Sequence, residues 1–428
     1  MVGMQAGCWE PLSMKIAIIG SGISGLVSAY LLHGEHEVTI FEANDYVGGH
    51  THTHEVEVEG STYAVDTGFI VFNEKTYPNF LALIRRLGVR YQSSQMTFSL
   101  KSEPEGTEYS AHNLNTIFGQ RRNLLDPSFY IMVWDILRLR REFARLLEES
   151  GDERPLIPYL RSRGYSKRFI DFFLVPMAAA IWSAGPGKVE EFPLRTFARF
   201  FLNHGILEVK NPFEWKVISG GSARYVEKLT APFRDRIRLS EPVRSVTRRT
   251  DHVEILSARG GPERFDHAVL ACHSDQALSL LSDPTPAERE VLGAIPYQEN
   301  LAVLHTDTSV LPERRRLWAG WNYCIPRSAS GLPVLTYNMN ILQTIKAPVE
   351  FCVTLNRDEA IAEGKKIGAY RYHHPQYSLA APAAQQRHSE ISGKNRTHYC
   401  GAYWGYGFHE DGVKSALAAC RYFGKGLD

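Results

Sequence analysis

Residues 15–25 read Lys15-Ile16-Ala17-Ile18-Ile19-Gly20-Ser21-Gly22-Ile23-Ser24-Gly25, an apolar pentad running straight into glycines at the spacing G-x-G-x-x-G. A short continuous apolar run is what a strand buried on both faces of a parallel sheet requires. A helical pattern follows in Leu26, Val27, Ala29, Tyr30, Leu31 and Leu32, then a second strand, Glu37-Val38-Thr39-Ile40-Phe41, ending in Glu42. Strand, glycine turn, helix, strand and acid stand in the order of a βαβ dinucleotide-binding unit. In such a unit one glycine makes the tight turn, one lets the backbone approach a pyrophosphate, and one lets helix and strand pack closely. Glu42 would accept hydrogen bonds from a ribose. A glycine turn alone could merely pack a helix on a sheet, but the complete order of elements favours the dinucleotide.

The rest of the composition narrows the class. At 428 residues the chain has room for two or three domains. Its 44% hydrophobic and 22% charged content, with 34 Gly and 22 Pro dispersed along the chain, excludes disorder, collagen and coiled coil as the main architecture. Forty-eight Lys+Arg against 47 Asp+Glu leave a net charge of +1, so no global attraction to nucleic acid or an anionic membrane is expected. Cys8, Cys272, Cys324, Cys352, Cys400 and Cys420 form no C-x-x-C pair and no zinc-type spacing, and read as reduced thiols of a cytoplasmic protein without a metal site. No stretch is apolar enough to cross a bilayer. Residues 1–13 read as a loose leader, with Met14 a candidate start.

Past Glu42 the chain continues Asn44-Asp45-Tyr46-Val47-Gly48-Gly49-His50-Thr51, then a hairpin around Gly60-Ser61, then Tyr63-Ala64-Val65-Asp66-Thr67-Gly68. Here it resembles the flavin-containing amine oxidase and phytoene desaturase superfamily, in which a Gly-Gly pair follows the ribose acid and an Asp-x-Gly follows a hairpin. The resemblance implies FAD, with Gly20, Gly22, Ser24, Gly25, Glu42, Gly48, Gly49, His50, Thr51 and Gly68 around it. The superfamily usually carries Arg where this chain has His50. Trp215 to Ser222 resembles the family's return from substrate to cofactor domain, and Ile237 to Val243 the strand flanking the adenine, which adds Val243. Phe265 to Cys272 resembles the strand closing this part. Gly401 to Gly412, followed by a helix from Val413 to about Phe423, resembles the closing motif, which adds Gly407, Glu410, Gly412 and Val413. A helix start facing the flavin would stabilise the negative charge of its reduced form.

The implied fold class is α/β: a Rossmann-like FAD-binding domain from residues 14–100, 215–300 and 385–428, interleaved with an α+β substrate domain from 101–214 and 301–384, a mixed sheet plus a helical insert. The wording of the motifs is similar to a bacterial branch described as predicted NAD/FAD-binding proteins. That branch is associated with cyclopropane-fatty-acid-synthase-like methyltransferases, which makes a fatty-acid-modifying methyltransferase the expected partner.

No second G-x-G-x-x-G unit exists, so the flavin is expected to be reduced by the substrate, or by a nicotinamide bound without its own module. In the insert, Asp126-Pro127 marks a helix start. Met132, Val133, Ile136, Leu137, Phe143, Ala144 and Leu147 recur at helical spacing, with Arg138, Arg141, Arg145 and Glu149 opposite. A packed helix with one solvated face is preferred over a membrane-contacting one, and peripheral membrane contact stays open. Beyond it, Phe169 to Trp182 and Phe192, Phe197, Phe200, Phe201 and Phe213 are aromatic enough to wall a tunnel for an apolar substrate, or simply to fill a core. Strands at 301–305, 317–323, 333–340 and 350–355 would form the opposite wall. Trp321, Tyr323 and Trp404 are the candidates for positions beside the flavin, which itself carries the chemistry. His50, His52 and His54 alternate and could share one strand face, though a cofactor role is preferred to metal. The expected activity is FAD-dependent oxidation or desaturation of a small apolar acyl-chain or lipid-like substrate. Amine oxidation, a redox-neutral isomerase or mutase, and a non-catalytic FAD-binding accessory role are the alternatives.

Overall fold

The computed structural model describes residues 13–151, 153–207, 213–328 and 331–427. Cys8 and the leader, apart from Ser13, lie outside the described residues. The N-terminal unit folds as its pattern demands: β1 (Lys15–Ile19), α1 (Ile23–Leu32) and β2 (Glu37–Phe41). β1 sits at the centre of a five-stranded parallel sheet, flanked by β2 and by His267–Leu270, with Ile237–Arg238 and Thr397–Tyr399 at the edges. Its two faces serve two cores. Ile16 and Ile18 pack with α1 and the closing helix His409–Cys420, while Ala17 and Ile19 face the core shared with the helical insert.

A hairpin of β3 (Thr53–Val58) and β4 (Ser61–Asp66) follows. At its end the buried Asp66 carboxylate gathers three distant segments. It accepts from Thr53 Oγ1 at 2.5 Å, from Ser222 N at 2.9 Å and Oγ at 2.7 Å, and from Gln343 Nε2 at 2.9 Å. Burial without a cation pushes its pKa up to about 6, against those hydrogen bonds.

The second sheet has seven strands in the order Lys366–Pro375, Tyr297–His305, Cys352–Leu355, Val334–Asn338, Trp321–Ile325, Phe98–Ser102 and Thr107–Ser110. All neighbours are antiparallel except Trp321–Ile325 with Phe98–Ser102. The expected crossings at residues 100/101 and 300/301 therefore fall inside strands. Neither stretch carries a glycine or proline to stop it, so each strand runs on to complete its ladder.

The helical insert begins with Pro127–Glu148, capped by Asp126 Oδ1 accepting from Ser128 N at 2.9 Å. Its buried stripe is Phe129, Met132, Leu139, Phe143 and Leu146, narrower than its apolar content suggests. Leu137 and Ala144, expected on the buried face, are exposed, and so are Tyr130, Ile131 and Trp134. From Lys167 to Trp182 the chain is helical throughout, with one wide turn at Ile170–Leu174. The cause is Pro176, which has no N–H to give the preceding turn. The carbonyl of Phe172 is satisfied instead by the buried Tyr109 hydroxyl at 2.6 Å. No helix among the described residues is long and apolar enough to cross a membrane.

Candidate cofactor and substrate cavity

The glycine turn, the Gly48-Gly49 loop and the closing motif meet at one elongated cavity of about 710 Å³. Gly20 holds a φ of +102° and gives its N–H to Phe41 O, which welds the turn to the end of β2. A Cβ on Gly25 would strike the Gly20 carbonyl, so this glycine sets the helix-to-strand distance. Gly49, at φ +59°, packs so closely that a Cβ would lie 3.1 Å from Gly22 Cα. Gly68 is held by the His50 carbonyl in the same way. Gly22 differs. Its φ of −68° suits any residue, and a Cβ there would meet no protein atom within 4 Å. Nothing in the chain itself asks for glycine at 22, and the space its side chain would take is open to the cavity.

Glu42 is buried at the cavity wall. Its Oε2 accepts from Ser21 N at 2.8 Å and Oγ at 2.6 Å, and its Oε1 from Asn44 N at 2.8 Å. Both lone pairs of Oε2 are thereby taken, and Oε1 keeps one for a ribose hydroxyl. Pro242 and Val243 line the same end, with Ala271 and Cys272. Burial pushes the Cys272 thiol up to about 12, so it is inert packing.

His50 is the odd member. Its ring is enclosed near Tyr372, His374 and His273, and its Nε2 is buried without a partner. Burial drives the pKa of His50 to about 4 and those of His273 and His374 to about 3, so all three imidazoles are neutral. His52 and His54 leave the cavity and stack on Tyr46 and Tyr370 at 3.9 and 4.1 Å.

At the far end, Gly407, Phe408 and His409 bring the start of the closing helix to the cavity. His409 stacks on Phe69 at 3.5 Å and joins Thr51 Oγ1 at 2.9 Å and Tyr225 Oη at 3.0 Å. The positive end of that helix thus faces the cavity, where it would favour a negatively charged group.

Five residues expected around the cofactor do not border the cavity. The Thr51 hydroxyl is turned away to Tyr225 and His409. Glu410 caps the helix Pro78–Arg86, accepting from Asn79 Nδ2 at 2.6 Å and Phe80 N at 2.9 Å. Gly412 lets the closing helix cross α1, where a Cβ would lie 2.6 Å from Ile23 Cγ2, and Val413 fills the core beneath. Two steps explain this: Glu410 is turned about 100° away from His409, while Gly412 and Val413, on the His409 side, lie about one turn deeper along the helix, against α1 and the core. Ser24 belongs to the same crossing, its Oγ donating to Gly412 O at 3.0 Å while it still borders the cavity, whereas Gly25 packs on the Gly20 carbonyl and Ala271 and does not border the cavity.

The substrate half is walled by Ala180, Ile181, Trp182 and Phe200 from the insert, and by Trp321 and Tyr337 from the large sheet. Of the three residues expected beside the flavin, only Trp321 borders the cavity. Tyr323 is buried in the core further along the strand, and Trp404 packs on His388 at 4.5 Å. Most of the aromatic run, including Phe169, Phe172, Phe173, Phe197 and Phe201, is core. Tyr372, His374, Tyr297 and His204 border the cavity without having been anticipated. The alternation of Tyr370, Tyr372 and His374 was the available signal for the first two.

The family model for flavin containing amine oxidoreductase matches residues 23–316. The chain belongs to that family. Family members use FAD, and the orphaned His50 Nε2, the empty direction at Gly22 and the helix start at His409 fit such a group. Probable polyamine oxidase 4 of Arabidopsis thaliana is 24% identical over 274 residues, 60% of this chain and 49% of that protein. The chain spans less than two thirds of the length of the curated relatives it matches. Among solved structures, cyclohexylamine oxidase from Brevibacterium oxydans superposes with a TM-score of 0.65 at 17% identity, covering 96% of this chain and 100% of that one. A CLA-producing fatty acid isomerase from P. acnes superposes with a TM-score of 0.65 at 16% identity, covering 97% and 100%. At such identities the likeness is one of fold.

Proposed function

We propose that the protein is an FAD-dependent oxidoreductase that oxidises or desaturates an apolar acyl-chain or lipid-like substrate. The observation that supports this reading is the wall of the cavity's substrate half. Ala180, Ile181, Trp182, Phe200, Trp321 and Tyr337 offer apolar and aromatic surface, and the one acid bordering the whole cavity among the described residues is Glu42, at the ribose end. An ammonium substrate would find no carboxylate there, whereas an acyl chain would find contact along its length. FAD bound here supplies the two-electron acceptor. The chain's own residues would hold the substrate against it, exclude water, and keep the imidazoles of His50, His273 and His374 neutral. Oxygen or another acceptor would then take the electrons.

The test is anaerobic mixing of the flavoprotein with whole-lipid extract, simple amines and NAD(P)H in parallel, following the flavin absorbance. Bleaching by lipid and not by amines is the expected result. Bleaching by amines alone refutes the substrate class. A lipid product of unchanged mass would make the reaction redox-neutral, an isomerisation of the kind for which one of the fold neighbours is named.

A further inference from the structure

Of the ten large hydrophobic side chains left exposed among the described residues, seven fall between Leu114 and Leu137, so the outward apolar surface is concentrated on one face of the helical insert. Leu125 is 87% exposed and Trp134 62%, where an ordinary surface would leave such residues scattered singly. Tyr130, Trp134 and Leu137 form one stripe along Pro127–Glu148, with Ile131 beside it and Leu124 and Leu125 just ahead of the helix. The same stripe continues into Arg141 and Arg145, at the next two turns. Among the described residues neither arginine has an acidic partner. Arg121 and Arg122 border the apolar end and donate to carbonyls and to Asn115, not to carboxylates. The nearby acids are largely taken: Asp135 is buried against Arg138, and Glu142 pairs with Arg163. Glu148 and Glu149, at the last turn, are the exposed exceptions.

We propose that this face docks on an anionic lipid bilayer, with Leu125, Tyr130, Ile131, Trp134 and Leu137 entering the interface and Arg121, Arg122, Arg141 and Arg145 meeting the headgroups. Charge complementarity selects this occupant. An apolar and aromatic patch framed by unpaired arginines suits the boundary between acyl chains and anionic headgroups, where Trp and Tyr are favoured. A second copy of the chain suits it poorly. In a two-fold contact the basic end of one stripe would meet either the basic end or the apolar part of the other, and neither compensates its charge. The overall charge of +1 hides this feature, because the attraction is local. The surface also lies one helix layer from the cavity. On the opposite side of the same helix Phe143 packs on Phe197 and Phe201, at 6.0 and 6.3 Å, and Phe200 of that neighbouring helix borders the cavity.

The proposal does not rest on the substrate reading, since docking needs no turnover. The experiment is co-sedimentation of the purified flavoprotein with vesicles of phosphatidylcholine alone and of phosphatidylcholine mixed with phosphatidylglycerol. Binding to the anionic vesicles, several-fold weaker at 1 M salt where screening acts within about 3 Å, is expected. The paired variant Trp134→Ser/Leu137→Ser should lower that binding about tenfold or more, and Arg141→Glu/Arg145→Glu should abolish the preference for anionic lipid. Both pairs sit on the surface, so flavin content and thermal midpoint should be unchanged. No binding by the parent protein, equal binding by the variants, or a concentration-dependent dimer lost in Trp134→Ser/Leu137→Ser would overturn the proposal.

Discussion

Gly22→Ala separates what the polypeptide needs from what its ligand needs. In the structure a methyl group at 22 touches no protein atom, and the backbone there is in an ordinary extended conformation. Replacing glycine stiffens the unfolded chain, a gain of about 0.4–1 kcal/mol. Alanine is also a poorer helix N-cap than glycine, a loss of about 0.5 kcal/mol. The two nearly cancel, so the apoprotein should melt within about 2 °C of its parent. The methyl group instead occupies the approach to the first turn of α1, where a pyrophosphate must come closest. Forcing a methyl group into a filled contact costs about 1–3 kcal/mol, which is about five- to 150-fold in FAD affinity. The assay is fluorescence titration of deflavinated protein with FAD, paired with thermal melts of the apoprotein. Gly25→Ala is the contrast, since its methyl group strikes the Gly20 carbonyl and should lower the apoprotein's own stability. If Gly22→Ala binds FAD as tightly as the parent, or if the apoprotein is itself destabilised, the assignment of that space to the cofactor is wrong.

Three further outcomes are expected. Glu42→Gln removes the charge from the acceptor left for a ribose hydroxyl; losing that charge-assisted hydrogen bond, worth about 1.5–3 kcal/mol, should weaken FAD by about tenfold or more in the same titration. Tyr109→Phe strands the Phe172 carbonyl inside the wide turn and should cost about 1–3 kcal/mol in denaturant melts, with flavin still retained. His305, fully buried between Thr354 Oγ1 at 2.7 Å and the Asp307 N–H at 3.0 Å, has its pKa lowered by burial to about 4. The unfolded chain binds this proton first, so His305 adds stability above pH 6.5 that is lost as pH falls from 6.5 through about 4, worth about 3 kcal/mol in total. His305→Asn should flatten that acid limb in melts across the window, and an unchanged slope would refute the assignment.

The glycine turn and its acid were legible because their logic is local. Gly20, Gly22, Gly25 and Glu42 lie within one βαβ unit, where spacing along the chain fixes spacing in space. The closing motif was half legible: Gly407 borders the cavity, but a one-residue step of about 100° turns Glu410 away from it, and one turn of depth along the helix carries Gly412 and Val413 under α1. The substrate half was least legible. Phe197 and Phe200 differ by three residues, yet one is core and the other borders the cavity. Tyr372 and His374 reach His50 only through pairing of Lys366–Pro375 with Tyr297–His305, a long-range contact that no local pattern encodes. The outward face of Pro127–Glu148 misled for a related reason: apolar periodicity finds a helix but does not say how much of its circumference the neighbours cover.

The central position of β1 also has a consequence for how the protein is made. One of its two partners, His267–Leu270, leaves the ribosome about 250 residues after β1 does, which at ordinary translation speeds is about 12–50 s. For that interval Ile16 and Ile18 have β2 on one side and an open, apolar strand edge on the other, the kind of edge that pairs with stray chains. The edge strand Thr397–Tyr399 and the closing helix emerge about 130 residues later still. Nascent chains of this protein should therefore depend on chaperones throughout elongation, and truncations before about residue 400 should aggregate instead of yielding a smaller folded unit.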